Sequence, residues 1–396
     1  KRLLGKQQPK LTKRLESCNK ELLRLKRESE GFTEHTEFGP LAMCLTRLMT
    51  ECEEYLKDDK RPGNERDEVL NLYFEVRHFL AMYDFSDTDY RYYTAYGEDG
   101  SFYARVQCMQ PARALTEQLK KGKSAVFFSA TLLPVRYYME ELGGSEEDYA
   151  IYVPSPFDTD KRLLMVGRDV STKYTRRTRS EYEKIALYLD YFVSAKLGNY
   201  FVFFPSYQMM EQTAELTEEL IGWKQGSVAE DGSFAFDSEA PVHLYVQKSG
   251  MTEKEKELFL AAFAEQPEKR TVGFCVMGGI FGEGIDLKND RLIGTVVVGT
   301  GLPMVCDEKE LFRFYFDEKN GRGFDYAYLY PGMNKVMQSA GRVIRTTEDT
   351  GAILLLDERF LTGSYQNLFP REWFPFEAVN SASMKLALKA FWEKYK

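Results

Sequence analysis

From residue 124 onward, the chain alternates short apolar runs with longer amphipathic stretches. The apolar runs predict strands at 124–129, 162–167, 200–204, 242–247, 271–277, 292–298 and 351–356. The amphipathic stretches predict helices near 133–142, 180–196, 207–221, 252–265, 333–345 and 383–395. Strands that are apolar throughout and separated by helices are typical of a parallel sheet covered on both faces. The sequence therefore predicts an α/β fold for this part of the chain.

The first 87 residues follow a different pattern, with apolar side chains at helical spacing and almost no strand signal. One such stripe consists of Leu11, Leu15, Cys18, Leu22 and Leu25. After residue 88, side chains alternate over 90–96 and 102–108 on either side of a Glu-Asp-Gly turn, which predicts a hairpin. Its tyrosines could stack on bases, although a half-buried strand face explains them more simply.

Composition limits the class of protein. With 43% hydrophobic and 29% charged residues, the chain has the make-up of a globular protein, and its net charge of -8 argues against wholesale coating of a polyanion. A local basic groove is still compatible with this charge, and Lys173, Arg176 and Arg177 form a basic loop. Without a long apolar run or an apolar leader, we expect a cytoplasmic protein with no membrane partner. The six cysteines lack C-x-x-C spacing, which favours reduced thiols over a metal site.

Two predicted strands end in hydroxyl-bearing residues. Ser129-Ala130-Thr131 follows one apolar run, and Pro205-Ser206-Tyr207 follows another. Because ligands of open parallel sheets bind at the carboxyl ends of the strands, both segments are candidate contacts. The simpler alternative is that each hydroxyl caps the following helix, and Ser206 is well placed to do so. Capping boxes are likewise predicted at Ser180 and Thr252.

A glycine-rich loop follows the predicted strand 271–277. Its glycines allow the backbone to approach a ligand closely, and two acidic side chains would project beside it. The residues of interest are Gly282, Glu283, Gly284 and Asp286. An ordinary loop of an α/β fold is the alternative interpretation.

Gln338-x-x-Gly341-Arg342-x-x-Arg345 is the most specific pattern. If the predicted helix continues to 345, Gln338, Arg342 and Arg345 share one of its faces. Two arginines and an amide suit the stabilisation of negative charge on a γ-phosphoryl group, as in an arginine finger. The alternative is a basic helix that faces nucleic acid or an acidic surface.

Taken in order, these segments resemble helicase motifs III to VI, and most closely those of superfamily 2 helicases of the XPD/DinG (Rad3-like) type. The resemblance also includes the apolar strand that ends in Asp357 and Arg359. It implies a RecA-like fold with a helical arch-like domain at 1–87. It further implies that 88–170 holds a hairpin and the closing strip of a first motor domain, and that 171–396 forms the second motor domain.

The resemblance also implies roles for individual residues. Arg345, Arg342 and Gln338 would be catalytic, facing the γ-phosphate, and Gly282, Glu283, Gly284 and Asp286 would belong to the nucleotide-linked motif V. Ser129, Ala130 and Thr131 would couple nucleotide state to movement, while Ser206 and Tyr207 would contact DNA. The basic loop of Lys173, Arg176 and Arg177 is a further candidate DNA contact. Gly282 departs from the family pattern, in which a bulkier or hydroxyl residue is more usual.

These 396 residues contain neither G-x-x-x-x-G-K-[ST] nor the Asp-Glu-x-His of a second nucleotide motif. The resemblance implies that ATP and Mg²⁺ bind in a longer protein whose amino-terminal half carries these motifs and can hold an iron–sulfur [4Fe-4S] cluster. We therefore expect no ATP hydrolysis by this chain alone. The resemblance further implies single-stranded or forked DNA as the partner, with 5′ to 3′ translocation of the enzyme along single-stranded DNA, and we expect the protein to act as a monomer.

Other functions fit parts of the same pattern. The chain could belong to a nuclease-coupled enzyme or to a translocase that acts on RNA, or it could serve as a nucleic-acid-binding scaffold. A Rossmann-like enzyme would require G-x-G-x-x-G after an early strand, and the sequence has none there.

Overall fold

The computed structural model describes residues 8–57, 64–228, 234–237, 239–282, 287 and 289–395. Backbone contacts divide the chain into two compact units. Unit 1 comprises Lys1–Ala125 and Met139–Glu146, and unit 2 comprises Val126–Tyr138 and Glu147–Lys396. The boundaries of these units differ from the domain boundaries predicted from the sequence at residues 87 and 170. The hairpin packs with the helices that precede it and so belongs to unit 1.

Unit 1 joins a helical bundle to a small antiparallel sheet. Its elements are α1 (Pro9–Glu28), β1 (Thr33–His35), α2 (Gly39–Lys57), α3 (Asn64–Phe85), β2 (Tyr90–Tyr96), β3 (Phe102–Cys108) and α4 (Ala112–Leu119). Leu11 and Cys18 of α1 are buried against Leu48 and Cys52 of α2 and Val76 of α3. The helical spacing read from the sequence is therefore confirmed, with its apolar stripe forming a core.

The predicted hairpin is confirmed as β2 and β3, which pair from Tyr90 with Cys108 to Tyr96 with Phe102. Strand β1, which the sequence did not reveal, adds to the free edge of β2. The inner face of the sheet packs its aromatic rings on buried Phe38. The alternating tyrosines thus include a half-buried core face, as the simpler interpretation held.

Unit 2 is built on a parallel sheet of eight strands in the order β13-β4-β12-β11-β5-β10-β9-β6. The strands are β4 (Arg162–Gly167), β5 (Asn199–Phe204), β6 (Lys224–Gln225), β9 (Val242–Val246), β10 (Arg270–Val276), β11 (Gly294–Val298), β12 (Gly351–Leu356) and β13 (Glu377–Val379). A separate short pair joins β7 (Ser227–Val228) to β8 (Phe234–Ala235). The α/β fold expected from the sequence is confirmed.

Helices cover both faces of this sheet. They are α6 (Arg179–Ser194), α7 (Tyr207–Ile221), α8 (Glu253–Ala261), α9 (Asp307–Asn320), α10 (Tyr330–Ala340), α11 (Gly363–Gln366) and α12 (Ser381–Lys394), while α5 (Val135–Glu141) crosses the boundary between the units. Strand β5 shows the two-sided burial: Val202 and Phe204 pack in a cluster with α6, α7 and α12. Phe201 turns the other way, its ring centroid 4.7 Å from that of Phe263. No described helix is both long and apolar enough to cross a membrane.

The predicted strand at 124–129 is wrong. This segment has no regular secondary structure, and Val126 and Phe128 are 82% and 89% exposed. A strand is stable only where a neighbour accepts and donates its backbone hydrogen bonds. None of the described strands pairs with this segment. Its apolar, β-prone residues therefore remain irregular and largely exposed.

The predicted helix 333–345 is also too long. Helix α10 ends at Ala340, and Gly341 follows as its C-cap. Gln338 thus lies in the last turn of the helix, whereas Arg342 and Arg345 lie in the connection to β12, so the three side chains do not share a helix face. Of the two predicted capping boxes, that of Thr252 is confirmed, with Glu255 donating its backbone N–H to the threonine hydroxyl. Ser180 makes none, because α6 begins one residue earlier, after Thr178.

Candidate functional site

The carboxyl end of β5 leads directly into α7. Ser206 is the N-cap of this helix, and its hydroxyl accepts a hydrogen bond from the backbone N–H of Met209 at 3.3 Å. Tyr207 is the first helical residue and is half-buried. The structure therefore bears out the capping role of Ser206 and leaves the aromatic side chain of Tyr207 beside the N-terminus of a helix, where anions are stabilised.

The glycine-rich segment begins at the end of the neighbouring strand β10. Met277 donates its N–H to the carbonyl of Phe204 at 2.8 Å, so the segment starts next to the end of β5. Gly278 has a φ of +71°, and Gly282 donates its N–H to the carbonyl of Gly279 at 2.7 Å. We call residues 276–282 the glycine turn. Glu283, Gly284 and Asp286 lie outside the described residues.

Gly282 departs from the pattern of the resembled family, and the structure supplies a local reason for glycine there. A Cβ atom at this position would lie 3.0 Å from the Gly279 carbonyl oxygen and 3.1 Å from the Gly278 nitrogen. Both neighbours are backbone atoms of the same turn, which could not move away without opening it. The compactness of the glycine turn therefore explains why a larger residue is absent at 282.

A buried glutamine links the glycine turn to α7. Gln247 follows β9, is only 3% exposed, and continues the ladder by donating its N–H to Phe274. Its side-chain oxygen accepts the N–H of Val276 at 2.9 Å, and its side-chain nitrogen donates to the Tyr207 hydroxyl at 2.9 Å. Gln247 was not predictable from the sequence, since a single glutamine after an apolar strand carries no distinguishing signal.

The arginine-bearing connection after α10 contacts the same turn. The Arg342 guanidinium donates to the carbonyl oxygen of Gly282. Arg345 is half-buried, and its backbone N–H donates to a carboxylate oxygen of Asp349 at 2.6 Å. The other oxygen of Asp349 accepts the N–H of Asn289 at 3.1 Å. One buried carboxylate therefore fixes the backbone at Arg345 to the segment that follows the glycine-rich loop.

Lys335 is a further cation beside the glycine turn that the sequence analysis missed. Its side chain packs on Gly278, where an added Cβ would lie 3.2 Å from the lysine Cε. Burial, together with the charge of Lys309, lowers the pKa of Lys335 from its ordinary value. In the sequence, Lys335 could have been recognised by its position three residues before Gln338 on the same predicted helix. A half-buried cation at this place favours an anionic ligand.

The basic loop lies at the end of β4. Lys173, Arg176 and Arg177 are all exposed, as a nucleic-acid contact requires. They are not isolated charges, because Glu358 lies 3.4 Å from the Lys173 Nζ and 3.2 Å from an Arg176 nitrogen, while Arg177 donates to the carbonyl of Thr172 at 3.1 Å. Solvent-exposed pairs of this kind are weak enough to exchange for a phosphate.

Asp357, at the end of β12, anchors the start of this loop. Its buried carboxylate accepts the backbone N–H of Thr172 at 2.8 Å and the threonine hydroxyl at 2.7 Å. Arg359 donates to the same carboxylate from its side chain at 2.8 Å. Burial alone would raise the pKa of Asp357, but the Arg359 guanidinium and Thr172 hold it below its ordinary value. The anchor is therefore a charged pair within the fold.

The structure thus assembles two groups of the predicted residues. The first contains Ser206, Tyr207, Gly282 and Arg342 around the glycine turn, with Gln338 and Arg345 nearby in the chain, and the second is the basic loop held by Asp357. Ser129, Ala130 and Thr131 join neither group: they form an irregular turn in which Ser129 accepts the N–H of Thr131. The described residues hold no cluster of potential metal ligands.

Residues 189–376 match the family model described as a helicase C-terminal domain. The regulator of telomere elongation helicase 1 of Homo sapiens is 24% identical over 272 residues, which are 64% of this chain and 21% of that protein. The ATP-dependent DNA helicase XPD of Sulfolobus acidocaldarius is 26% identical over 251 residues, or 61% of this chain and 40% of that protein. The chain therefore spans less than half the length of these relatives.

Solved structures agree with these sequence matches. A structure titled "XPD_APO" superposes with a TM-score of 0.54 at 17% identity, covering 91% of this chain and 68% of that one. S. tokodaii Xpd4 gives a TM-score of 0.54 at 16% identity and covers 93% of this chain and 70% of its own. The fold is RecA-like, with its eight-stranded parallel sheet covered by helices, and residues 189–376 are similar to a helicase C-terminal domain. The sequence matches are to helicases of the XPD/Rad3-like type, and the chain is similar to their C-terminal portion.

Proposed function

We propose that this chain is the part of an ATP-dependent DNA helicase that contacts the γ-phosphate of ATP and binds single-stranded DNA. The observation that carries the proposal is the hydrogen bond from Arg342 to the Gly282 carbonyl. It joins the two most specific sequence patterns, Gln338 to Arg345 and the glycine-rich loop, into one surface. Through such a link, a change in the contact with the phosphate would reach the end of β5, which Tyr207 follows.

The residues around the glycine turn fit the phosphate end of a nucleotide. Arg342 and Lys335 bring two cations to the glycine turn, and Arg345 follows Arg342 by three residues in the chain. All three side chains are half-buried and therefore only partly solvated. Guanidinium groups match phosphate oxygens in geometry and retain their charge at any physiological pH. ATP with Mg²⁺ would supply the phosphoryl group, held by a P-loop that these 396 residues do not contain. This chain would contribute positive charge and orientation only.

The DNA would contact the other residues that the resemblance nominated. The N-terminus of α7 offers Ser206, Tyr207 and the backbone N–H groups of its first turn to a phosphate. The basic loop supplies three exposed cations, of which Lys173 and Arg176 can exchange their ion pairs with Glu358 for contacts with the DNA backbone. Phosphate contacts of this type bind without regard to sequence, as a translocating motor requires. Movement in the 5′ to 3′ direction is part of the proposal and follows from the resemblance alone.

Binding of a fluorescently labelled oligothymidine to the 396-residue chain, followed by anisotropy over a range of salt concentrations, tests the DNA proposal. We expect measurable affinity that falls as salt rises. Replacing Lys173, Arg176 and Arg177 together by Ala should weaken binding and reduce the salt slope by roughly 2, since each phosphate contact on a single strand contributes about 0.7. Replacing Lys385, Lys389 and Lys394 together by Ala is the matched control, because all three lysines are exposed on α12 and the variant also loses three positive charges.

The two sets of variants separate specific binding from a general effect of charge. Equal losses in the triple variant and the α12 control would contradict a site at the basic loop. Absence of salt-dependent binding by the unaltered chain would contradict the nucleic-acid proposal as a whole. Tighter binding of an oligouridine than of oligothymidine would favour an RNA translocase instead. The nucleotide proposal predicts that the chain hydrolyses no ATP by itself, so hydrolysis lost in Arg345→Ala would overturn it.

A further inference from the structure

A continuous set of hydrogen bonds connects Tyr207 to Arg342. Gln247 holds the Tyr207 hydroxyl through its side-chain nitrogen and the Val276 N–H through its side-chain oxygen, both at 2.9 Å. Gly279 donates its N–H to the Val276 carbonyl at 3.1 Å and also packs on the same amide, since an added Cβ would lie 3.1 Å from the glutamine nitrogen. Gly279 accepts the N–H of Gly282, whose carbonyl accepts from Arg342. Gln247 is the only side chain in this path between its two ends.

The chemistry of the amide fixes the role of the tyrosine hydroxyl. The backbone N–H of Val276 can only donate, so the glutamine atom that faces it must be the oxygen. The glutamine NH₂ group therefore faces Tyr207 and donates to its phenolic oxygen. That arrangement leaves the proton of the Tyr207 hydroxyl for another acceptor. Among the described residues, no acceptor for this proton lies within hydrogen-bond distance.

We propose that Gln247 is a positioning residue that orients the Tyr207 hydroxyl to donate to a DNA phosphate and ties that contact to the glycine turn. This inference rests on the proposed function, since it names how one DNA contact of that site is made. A phosphate oxygen is the expected acceptor because it carries charge and lies at the N-terminus of α7 in the proposed complex. The path to Gly282 then connects the state of this contact to the backbone that Arg342 touches.

The test uses two substitutions that change single atoms or groups. Tyr207→Phe removes the hydroxyl, and the affinity for oligothymidine should fall roughly tenfold, as expected for one charge-assisted hydrogen bond. Gln247→Glu keeps the acceptor for Val276 but replaces the NH₂ donor by a carboxylate oxygen. That oxygen would accept the tyrosine proton itself, so this variant should lose a similar factor. Gln212→Glu adds the same charge at an exposed position on α7 and should bind like the unaltered chain.

The double variant shows whether Gln247 acts through Tyr207. Once the hydroxyl is absent, Gln247→Glu should cause no further loss of affinity, so the two single effects should be strongly non-additive. The melting temperature of each variant is measured in parallel, and affinity should fall where melting does not. Full additivity would overturn the proposal, because it would mean that the glutamate acts by charge repulsion alone. An unaltered affinity in Gln247→Glu beside a weakened Tyr207→Phe would overturn it too.

Failure of this inference is distinguishable from failure of the proposed function. If the unaltered chain binds with the expected salt dependence and the basic-loop variant weakens it, the DNA site stands whatever the double variant shows. If the unaltered chain does not bind oligothymidine at all, the proposed function fails and this inference fails with it.

Discussion

Two segments of this chain contain the same three residues, Val-Phe-Phe, followed by a hydroxyl-bearing turn, and they fold differently. Residues 126–128 are irregular and largely exposed, whereas residues 202–204 form the end of β5 and are fully buried. Strand β5 lies between β11 and β10 and pairs with both. The segment at 126–128 pairs with none of the described strands. Local sequence therefore supplies the tendency to extend, and neighbouring strands decide whether a strand forms.

The largest expected difference concerns the matched phenylalanines. Phe204→Ala should destabilise the protein by about 4 kcal/mol, because it removes a fully buried ring that lies 4.8 Å, between centroids, from Phe274. Phe128→Ala should change the free energy of unfolding by less than about 0.5 kcal/mol, as expected for an exposed side chain. Denaturant unfolding of both variants measures the difference. A loss at Phe128 comparable to that at Phe204 would show that 126–128 is covered in solution, and the comparison would fail.

A second difference lies in how the strand ends are fixed. Asp357 ties the ends of β4 and β12 together, whereas the turn at Ser129 has only a local hydrogen bond. Asp357→Asn should destabilise by about 3 kcal/mol, because it leaves the Arg359 guanidinium without its charged partner. It should also weaken oligothymidine binding, since the basic loop loses its anchor at Thr172.

The pH dependence of the unfolding free energy tests whether the charged pair of Asp357 and Arg359 causes the loss of stability in Asp357→Asn. Because the pKa of Asp357 is lower in the folded protein than its ordinary value of 3.8, the carboxylate stabilises the fold fully above that value and loses this effect as pH falls towards the folded pKa. The gap in unfolding free energy between the unaltered chain and Asp357→Asn should therefore narrow below about pH 4. A gap that stays constant from pH 6 to pH 3 would argue that packing, not charge, causes the loss.

The smallest expected effect concerns the hydroxyls that follow the two segments. Ser206→Ala removes the N-cap of α7 and should cost about 1 kcal/mol. Ser129 caps no helix, so Ser129→Ala should leave the unfolding free energy unchanged within about 0.5 kcal/mol. Thermal or denaturant unfolding of the pair measures both. Equal losses would indicate that Ser129 makes a structural contact comparable to the cap.

Much of the fold was predictable, because periodicity and turn residues report on local structure. Strands β5, β10 and β12 and helix α7 appear within one residue of the predicted bounds. The helix before Arg342 was predicted too long, since its apolar spacing continues through Val343 while the backbone turns at Gly341. Val343 is nonetheless buried, so its apolar character reflects packing after the helix and not helical continuation.

The candidate site was predictable only where its residues carry a recognisable pattern. The arginines, the glycine-rich loop and the basic loop were found, although Glu283, Gly284 and Asp286 lie outside the described residues. Gln247, Asp349 and Asp357 were not assigned roles, because each acts through partners brought close by the fold. Asp357, for example, holds Thr172 from 185 positions away. Such contacts leave no trace in local spacing.

The sequence by itself determined the alternation of strands and helices, the parallel character of the sheet and the residue types suited to phosphate. These follow from hydrophobic period and side-chain chemistry, which are local properties. Only the tertiary structure decided that 202–204 is a strand and 126–128 is not, that Arg342 contacts Gly282, and that Gln247 joins Tyr207 to the same turn. The physical reason is that strand pairing and buried hydrogen bonds require a second partner, and the fold alone brings that partner within reach.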